Sequence, residues 1–392
     1  MDRIEALLVA VDWSRVDGGQ LGDNIGPVPS VPRMVRDLWH ADPDRRWTAV
    51  DFLERAGLQF GQSHPATVPL IPVIVAVLTD ARSANVGVAS SFDPQLPLRA
   101  RLLEMLGNAA TAPAWGGTDE ELRAKAAAVV AGAEDLLLAD LIAGEEASAR
   151  LGVRAMAGDV IDAVVSYIDD QDVRTVHAAI FAVTRFVQLL LPECRGAVTG
   201  AGAADRVAVV VQRLRAVAGR GSGVVSVSAA AAFALAELGA DTTALLGEPE
   251  LAVRACAALS PSTADDTRAL MALEHALRCT PNNDTWLSPG SKLERMRLYI
   301  DFARAASSRA RSFNELCPGA LVVATPEAES TEAGWGPLLR VAFSPGWRNR
   351  PLVQPRHRDR RPRRRTAHPG QAEPADPVRP AQGPALGQGP GR

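Results

Sequence analysis

The sequence predicts an all-α protein built as an α-solenoid of stacked antiparallel helix pairs. Three observations carry that expectation. Apolar residues recur at steps of three and four along most of Met1–Ser308, the period of a half-buried helix. Short polar turns rich in Asp, Pro, Ser and Gly divide these stripes at helix-like intervals. One segment, with Val68, Leu70, Ile71, Val73–Val75, Val77 and Leu78, is apolar nearly all round. A helix of that kind must be covered on more than one side, and helix pairs that cannot bury their own faces have to stack on neighbours.

Taken in order, Met1–Val16 places Ile4, Leu7, Leu8 and Val11 on one face, an N-terminal capping helix. Asp17–Ser30 reads as a Gly/Pro-rich loop. Val31–His40 carries Met34, Leu38 and Trp39 at helical spacing. Asp42 then suits an N-cap and Pro43 a first helical position. The helix that follows puts Trp47, Val50, Leu53 and Ala56 on one face. Pro69 and Pro72 would kink the third helix unless they lie in its first turn. Ala81–Pro97 is read as an extended loop, long for a compact array. Leu98–Ala109 resumes as helix, and Pro113–Gly117 breaks it.

Thr118 followed by Glu121 is a capping box. It opens a stripe through Leu122, Ala126, Val129, Ala133, Leu136 and Leu141. Glu145–Ala157 and Asp159–Ile168 form the next pair, bent at Gly158. Arg174–Leu191 is the clearest stripe of all, with Val176, Ile180, Val183, Val187 and Leu190. Pro192–Gly200 is a loop, Asp205–Ala218 a helix, Gly219–Gly223 a break, and Val224–Leu238 a helix. Asp241–Leu246 suggests a truncated helix. Leu251–Leu259, Asp265–Cys279 and Ser291–Ser307 complete the array. Residues 309–344 are read as a short irregular cap. Residues 345–392 are Arg, Pro, Gly and Ala with almost no large apolar side chain. Such a stretch cannot bury a core and is expected to be disordered.

Charge is divided unevenly. The chain carries a net −3, and from Pro345 onward there are 11 Arg against 3 acidic residues, or +8, which leaves −11 for Met1–Ser344. An acidic body is a poor match for phosphate backbones. Nucleic acid is therefore expected only as weak, salt-sensitive binding through Arg358-Asp359-Arg360-Arg361-Pro362-Arg363-Arg364-Arg365, which has no interleaved aromatics for base stacking. No apolar run reaches the roughly 18 residues of a membrane span, and no leader precedes the first helix. A cytoplasmic protein is expected.

Catalytic and ligand-binding signatures are missing. Cys194, Cys256, Cys279 and Cys317 lie far apart with no CxxC spacing, so buried reduced thiols are expected. His40, His64, His177 and His275 are isolated, and no HExxH occurs. His275 and Cys279 share a helix face, but two residues make no metal site. Gly219-Arg220-Gly221-Ser222-Gly223 follows a helix, not a strand, and matches no phosphate-binding loop. Asp169/Asp170 and Asp265/Asp266 sit at helix ends, where capping favours Asp. No catalytic, cofactor-binding or metal residue is assigned.

The order "apolar helix, Asp/Glu-rich turn, Arg, amphipathic helix" occurs at Asp42–Arg46. It returns as Asp169-Asp170-Gln171-Asp172-Val173-Arg174 and as Glu248-Pro249-Glu250-Leu251-Ala252-Val253-Arg254. Arg174 and Arg254 are separated by about two periods of roughly 40 residues. In this order, and in Gln62–Asp80, the chain resembles the HEAT-repeat (armadillo-type) family, notably HEAT-repeat proteins of GC-rich actinobacteria. The resemblance implies a helical solenoid over about Val28–Ser308. It implies a non-catalytic scaffold whose acidic concave surface takes a protein or peptide partner with a basic surface. Alternatives on the same frame stay open: a DNA-repair glycosylase or lyase, for which Trp13, Trp39, Trp47, Trp115 and Trp286 would need to line a basic groove, or an immunity protein covering a nuclease toxin.

Overall fold

The computed structural model describes residues 2–16, 28, 30–57, 63–88, 96–115, 117–130, 138–192, 202–220, 224–279, 286, 292–311, 313–316 and 338. The described chain is mostly helical. Its helices are α1 Arg3–Val9, α2 Val31–Asp37, α3 Pro43–Gly57, α4 Thr67–Thr79, α5 Leu98–Trp115, α6 Asp119–Val130 and α7 Leu138–Val164. They continue as α8 Val173–Gln188, α9 Ala203–Ala218, α10 Val225–Glu237, α11 Leu251–Ala257, α12 Thr267–Arg278 and α13 Lys292–Arg309. Two two-residue strands, β1 Gly87–Val88 and β2 Leu96–Pro97, pair antiparallel. The class expected from the sequence, all-α, is what the described residues show. The tail from Pro345 lies outside them, and so does most of the cap expected at 309–344, apart from 309–311, 313–316 and Leu338.

The helix apolar all round is α4, and it is covered as its composition demands. Leu70, Ile71, Val73, Ile74, Val77 and Leu78 are buried, and α1, α5 and α7 pack around it. Pro69 lies in its first turn, whereas Pro72 lies inside the helix, where it removes one backbone donor. The second centre is α8. Its buried set spans Thr175 to Val187, and it packs against α5, α7, α9 and α10. From α9 onward the order is simpler. Each helix from α9 to α13 packs on the next in sequence. In α10, Ala229–Ala232, Ala234 and Ala236 are buried, small residues that admit neighbours on both sides.

The Asp/Arg turns do specific work. Asp80, Asp172 and Asp266 each accept the backbone N–H of the Arg two residues on, at 2.8, 3.0 and 2.9 Å. Each also pairs with that guanidinium, at 2.7, 3.1 and 2.6 Å. Asp172 and Asp266 cap α8 and α12, and Asp80 caps the 3-10 turn Ala81–Asn85. Arg46 and Arg254 share another device. Arg46 Nη1 donates to the carbonyls of His40 and Ala41, and Arg254 Nη1 to those of Glu248 and Pro249. Each arginine, one turn into its helix, thus ties down the connection that leads into it.

Several sequence expectations are corrected. Ala81–Pro97 is not an extended loop throughout. Asp80 and Ser83 fold its start into a 3-10 turn, with Ser83 Oγ donating to the Leu78 and Asp80 carbonyls, and β1 in its middle pairs with β2 at its end. Pro113 does not break α5, which runs on to Trp115. It falls in the last turns, and the Pro113 carbonyl is satisfied by Arg154, whose Nε donates to it at 3.0 Å. Gly158 does not divide a helix pair, because α7 runs through it and ends in a 3-10 turn, Val165–Asp169. The Arg206 side chain, fixed on Asp162 at 2.7 Å, crowds Gly158, where a Cβ would meet its Cζ at 3.1 Å. The first helix ends at Val9 rather than Val16. The truncated helix expected at Asp241–Leu246 is a 3-10 turn, Thr243–Gly247. The capping box holds: Thr118 N–H donates to Glu121 Oε2 at 2.8 Å, and Glu121 N–H to Thr118 Oγ1 at 3.3 Å.

Candidate functional site

The titratable residues singled out in the sequence resolve into local structural roles. His177 is buried in α8, and its Nε2 lies 3.0 Å from Ser226 Oγ in α10. Burial lowers its pKa to about 4, so the ring is neutral at neutral pH. His64 is also held down by burial, and its N–H caps onto Thr67 Oγ1. His40 Nδ1 accepts the Asp42 N–H at 3.1 Å. His275 is exposed, not part of the core. Cys256 is buried and Cys279 half-buried, both free thiols; burial pushes the Cys256 thiol up, which makes it a poor nucleophile. Cys194 and Cys317 lie outside the described residues.

The carboxylate pairs separate. Asp169 is paired with Arg213 and Arg220, at 3.4 and 2.9 Å, and Asp170 accepts the Asp172 N–H. Asp266 is committed to Arg268. Asp265 alone of the four is exposed on the wall of a groove. The tryptophans are engaged one by one. Trp13 Nε1 donates to the Leu8 carbonyl at 3.0 Å. Arg82 stacks 4.2 Å from the centroid of Trp39. Trp47 packs against the core, and Trp286 meets Phe302 with centroids 6.1 Å apart. The Trp115 side chain lies outside the described residues. Among the described residues, three or more His, Cys, Asp or Glu never gather as a metal site would need, and no helix is long and apolar enough to cross a membrane.

Two surface grooves stand out among the described residues. The larger, about 710 Å³, runs between α10, the turn at Leu259–Asp265 and α13. Phe233, Ala236, Leu259, Pro261 and Ala305 are its apolar lining, Glu237, Asp265 and Asp301 its carboxylates, and Asp301 lies 3.8 Å from Arg304. Arg304 and Arg309 also line it. Arg309 is turned into the 258–263 turn, donating to the carbonyls of Ala258 and Ser260, and burial lowers its pKa. Glu237 is anchored 3.2 Å from Arg185 of α8, a residue only 3% exposed.

The smaller groove, about 330 Å³, lies between the Thr243–Gly247 turn, α11 and α12. Leu246, Leu251, Met271 and Ala272 form its apolar part, and Arg254, Arg268, Arg278 and His275 its polar part, with Glu274. Neither groove has a tryptophan among its described lining residues.

Of the lining residues, sequence reading had picked out Asp265 as a carboxylate, Arg254 as a repeat marker and His275 as an isolated histidine. It had not assigned Glu237, Asp301, Arg309 or Met271 to any site. Met271 carried a readable signal: it falls opposite the buried stripe Ala269, Ala272, Leu273, Ala276 and Leu277, yet is apolar and 70% exposed.

The fold and these grooves define an all-α protein with recessed surface sites on its C-terminal helices. Comparison with family models, curated proteins and solved structures finds no match for the chain.

Proposed function

We propose that this protein is a cytoplasmic, non-catalytic binding scaffold, built on HEAT-like stacked helix pairs, that presents an acidic concave helical surface to a protein or peptide partner with a basic surface. The observation that carries the reading is the larger groove, where apolar side chains are flanked by Glu237, Asp265 and Asp301 alongside Arg304 and Arg309; Glu237 pairs with Arg185 and Asp301 with Arg304, and among the described ion pairs Asp265 has none. The groove belongs to a body whose net charge is −11. An apolar lining supplies burial while flanking carboxylates select a cationic partner and speed its encounter. The sequential packing of α9 to α13 supports a solenoid in that region. So do the matched carbonyl-tethering arginines, Arg46 and Arg254.

Between α4 and α8 the packing skips along the chain, with α5 against α8 and α4 against α7. The repeat ladder is therefore proposed for the C-terminal part first. Capture of partners from the native host, with bound proteins identified by mass spectrometry, tests the reading. A specific basic partner is expected at low salt, weakened at high salt and weakened again by Asp265→Lys. Capture indifferent to both salt and Asp265→Lys would remove the basis for the proposal.

A further inference from the structure

In the smaller groove one guanidinium is held through Nη1 alone, whereas Arg309 of the larger groove spends both Nη1 and Nη2 on carbonyls. That guanidinium is Arg254, half-buried on the wall of the smaller groove, and its Nη1 is fixed by two short hydrogen bonds, 2.6 Å each, to the carbonyls of Glu248 and Pro249. Arg46 uses Nη1 in the same way, but its Nε also donates to the Gly87 carbonyl at 2.9 Å, so its fork is spent on the fold. Among the described contacts, Arg254 has neither a bond at Nε or Nη2 nor a carboxylate within 4 Å. Two other cations of the groove are already matched: Arg268 lies 2.6 Å from Asp266, and Arg278 2.6 Å from Glu274. His275 stands beside them on α12. One guanidinium is thus rigidly held, unneutralised, and bordered by Leu246, Leu251 and Met271.

The Nε–Nη2 edge of arginine matches a carboxylate in two parallel hydrogen bonds. Pre-fixing the guanidinium reduces the ordering cost of forming them. Met271 is a large apolar side chain left 70% exposed at the same groove, and Met adapts its shape to varied apolar contacts.

From this geometry we infer that the groove between α11 and α12 is a receptor for an acidic peptide segment of a partner protein. One Asp or Glu of that segment sits on Arg254 and an adjoining apolar residue packs on Met271. The site is independent of the acidic groove and takes the opposite charge. The single body then offers two docking surfaces of different sign.

Titration of the full chain with a fluorescein-labelled Gly-Leu-Glu-Leu-Gly peptide, followed by anisotropy, tests this. The control peptide carries Gln in place of Glu. Binding of the Glu peptide is expected to be at least tenfold tighter than that of the Gln peptide. It should fall at least tenfold in Arg254→Gln and less in Arg254→Lys, which keeps the charge but not the fork. Arg254 also tethers the turn before α11, so a second variant guards against misfolding. Met271→Glu, at an exposed position, leaves the tethers intact, places a competing carboxylate in the groove, and is expected to abolish binding while helical circular dichroism is retained. Equal binding of the two peptides would overturn the inference. So would full binding by a folded Arg254→Gln or Met271→Glu protein, or formation of a dimer of the chain that hides Met271 and excludes the peptide.

Discussion

At the scale of single residues, two polar side chains are held in the interior by opposite means. Arg154 is 1% exposed, and its charge is compensated in full view. Nη1 donates to Asp119 at 2.9 Å, Nε to the Pro113 carbonyl at 3.0 Å and Nη2 to the Gly117 carbonyl at 2.7 Å. A buried cation is tolerated only when partnered in this way, and here it joins α7 to the turn between α5 and α6. His177 instead stays neutral. Its folded pKa of about 4 lies below its ordinary 6.5 because burial penalises the charged ring. Between those values the unfolded chain takes up a proton that the folded chain does not. Stability is therefore full above about pH 6.5, falls as the pH drops toward 4, and levels off below that for this group. The shift corresponds to about 3 kcal/mol. Urea unfolding at pH 7 and pH 4.5 should show most of that loss in the natural chain and much less of a difference in His177→Gln. An identical pH dependence in the variant would show that other groups control it.

At the scale of elements, the α5–α8 crossing is the most intimate contact of the N-terminal part, and Gly107 makes it so. A Cβ at Gly107 would come within 2.3 Å of the Phe181 ring and 3.3 Å of the Ala182 Cα. Gly107→Val is expected to destabilise the chain by about 1–3 kcal/mol through overpacking, read as a lower thermal midpoint. Ala114→Val, on the same helix but half-buried, should cost less; equal costs would place the constraint elsewhere.

Gly107 also shows how far the sequence could be read. Stripe periodicity located α8, α9 and α12 closely, because their buried faces follow sequence spacing alone. The capping box at Thr118 was legible for the same reason: its partners are three residues apart. The survival of α5 past Pro113 was not. It goes with a contact to Arg154, a residue 41 positions away that donates to the Pro113 carbonyl where the helix runs out. Nor was the packing of Gly158 on Arg206, 48 positions away, against which a Cβ there would press. The grooves were least legible. Asp265 and Asp301, or Leu251 and Met271, share a wall only once the helices are stacked. The sequence alone presents Arg254 as a repeat marker, with no sign that one edge of its guanidinium is left over.

At the scale of the whole molecule, charge is the organising quantity. The body carries −11 and the segment from Pro345 carries +8. A net −3 therefore understates how strongly each part would respond to a charged partner. Polyanions should be repelled by the first and attracted by the second, with an attraction that fades as salt rises toward physiological levels. The full chain is expected to bind a heparin column at about 50 mM salt and to elute before about 300 mM, the range over which a few phosphate- or sulfate-like contacts lose most of their strength. Replacing Arg360, Arg361, Arg363, Arg364 and Arg365 with Gln should abolish that retention without altering capture of a basic partner by the body. Retention that survives replacement of all 11 Arg from Pro345 onward would place a basic face on Met1–Ser344 itself. That result would count against an acidic docking surface more directly than the failure to find any particular partner, because it would contradict the charge on which partner selection is proposed to rest.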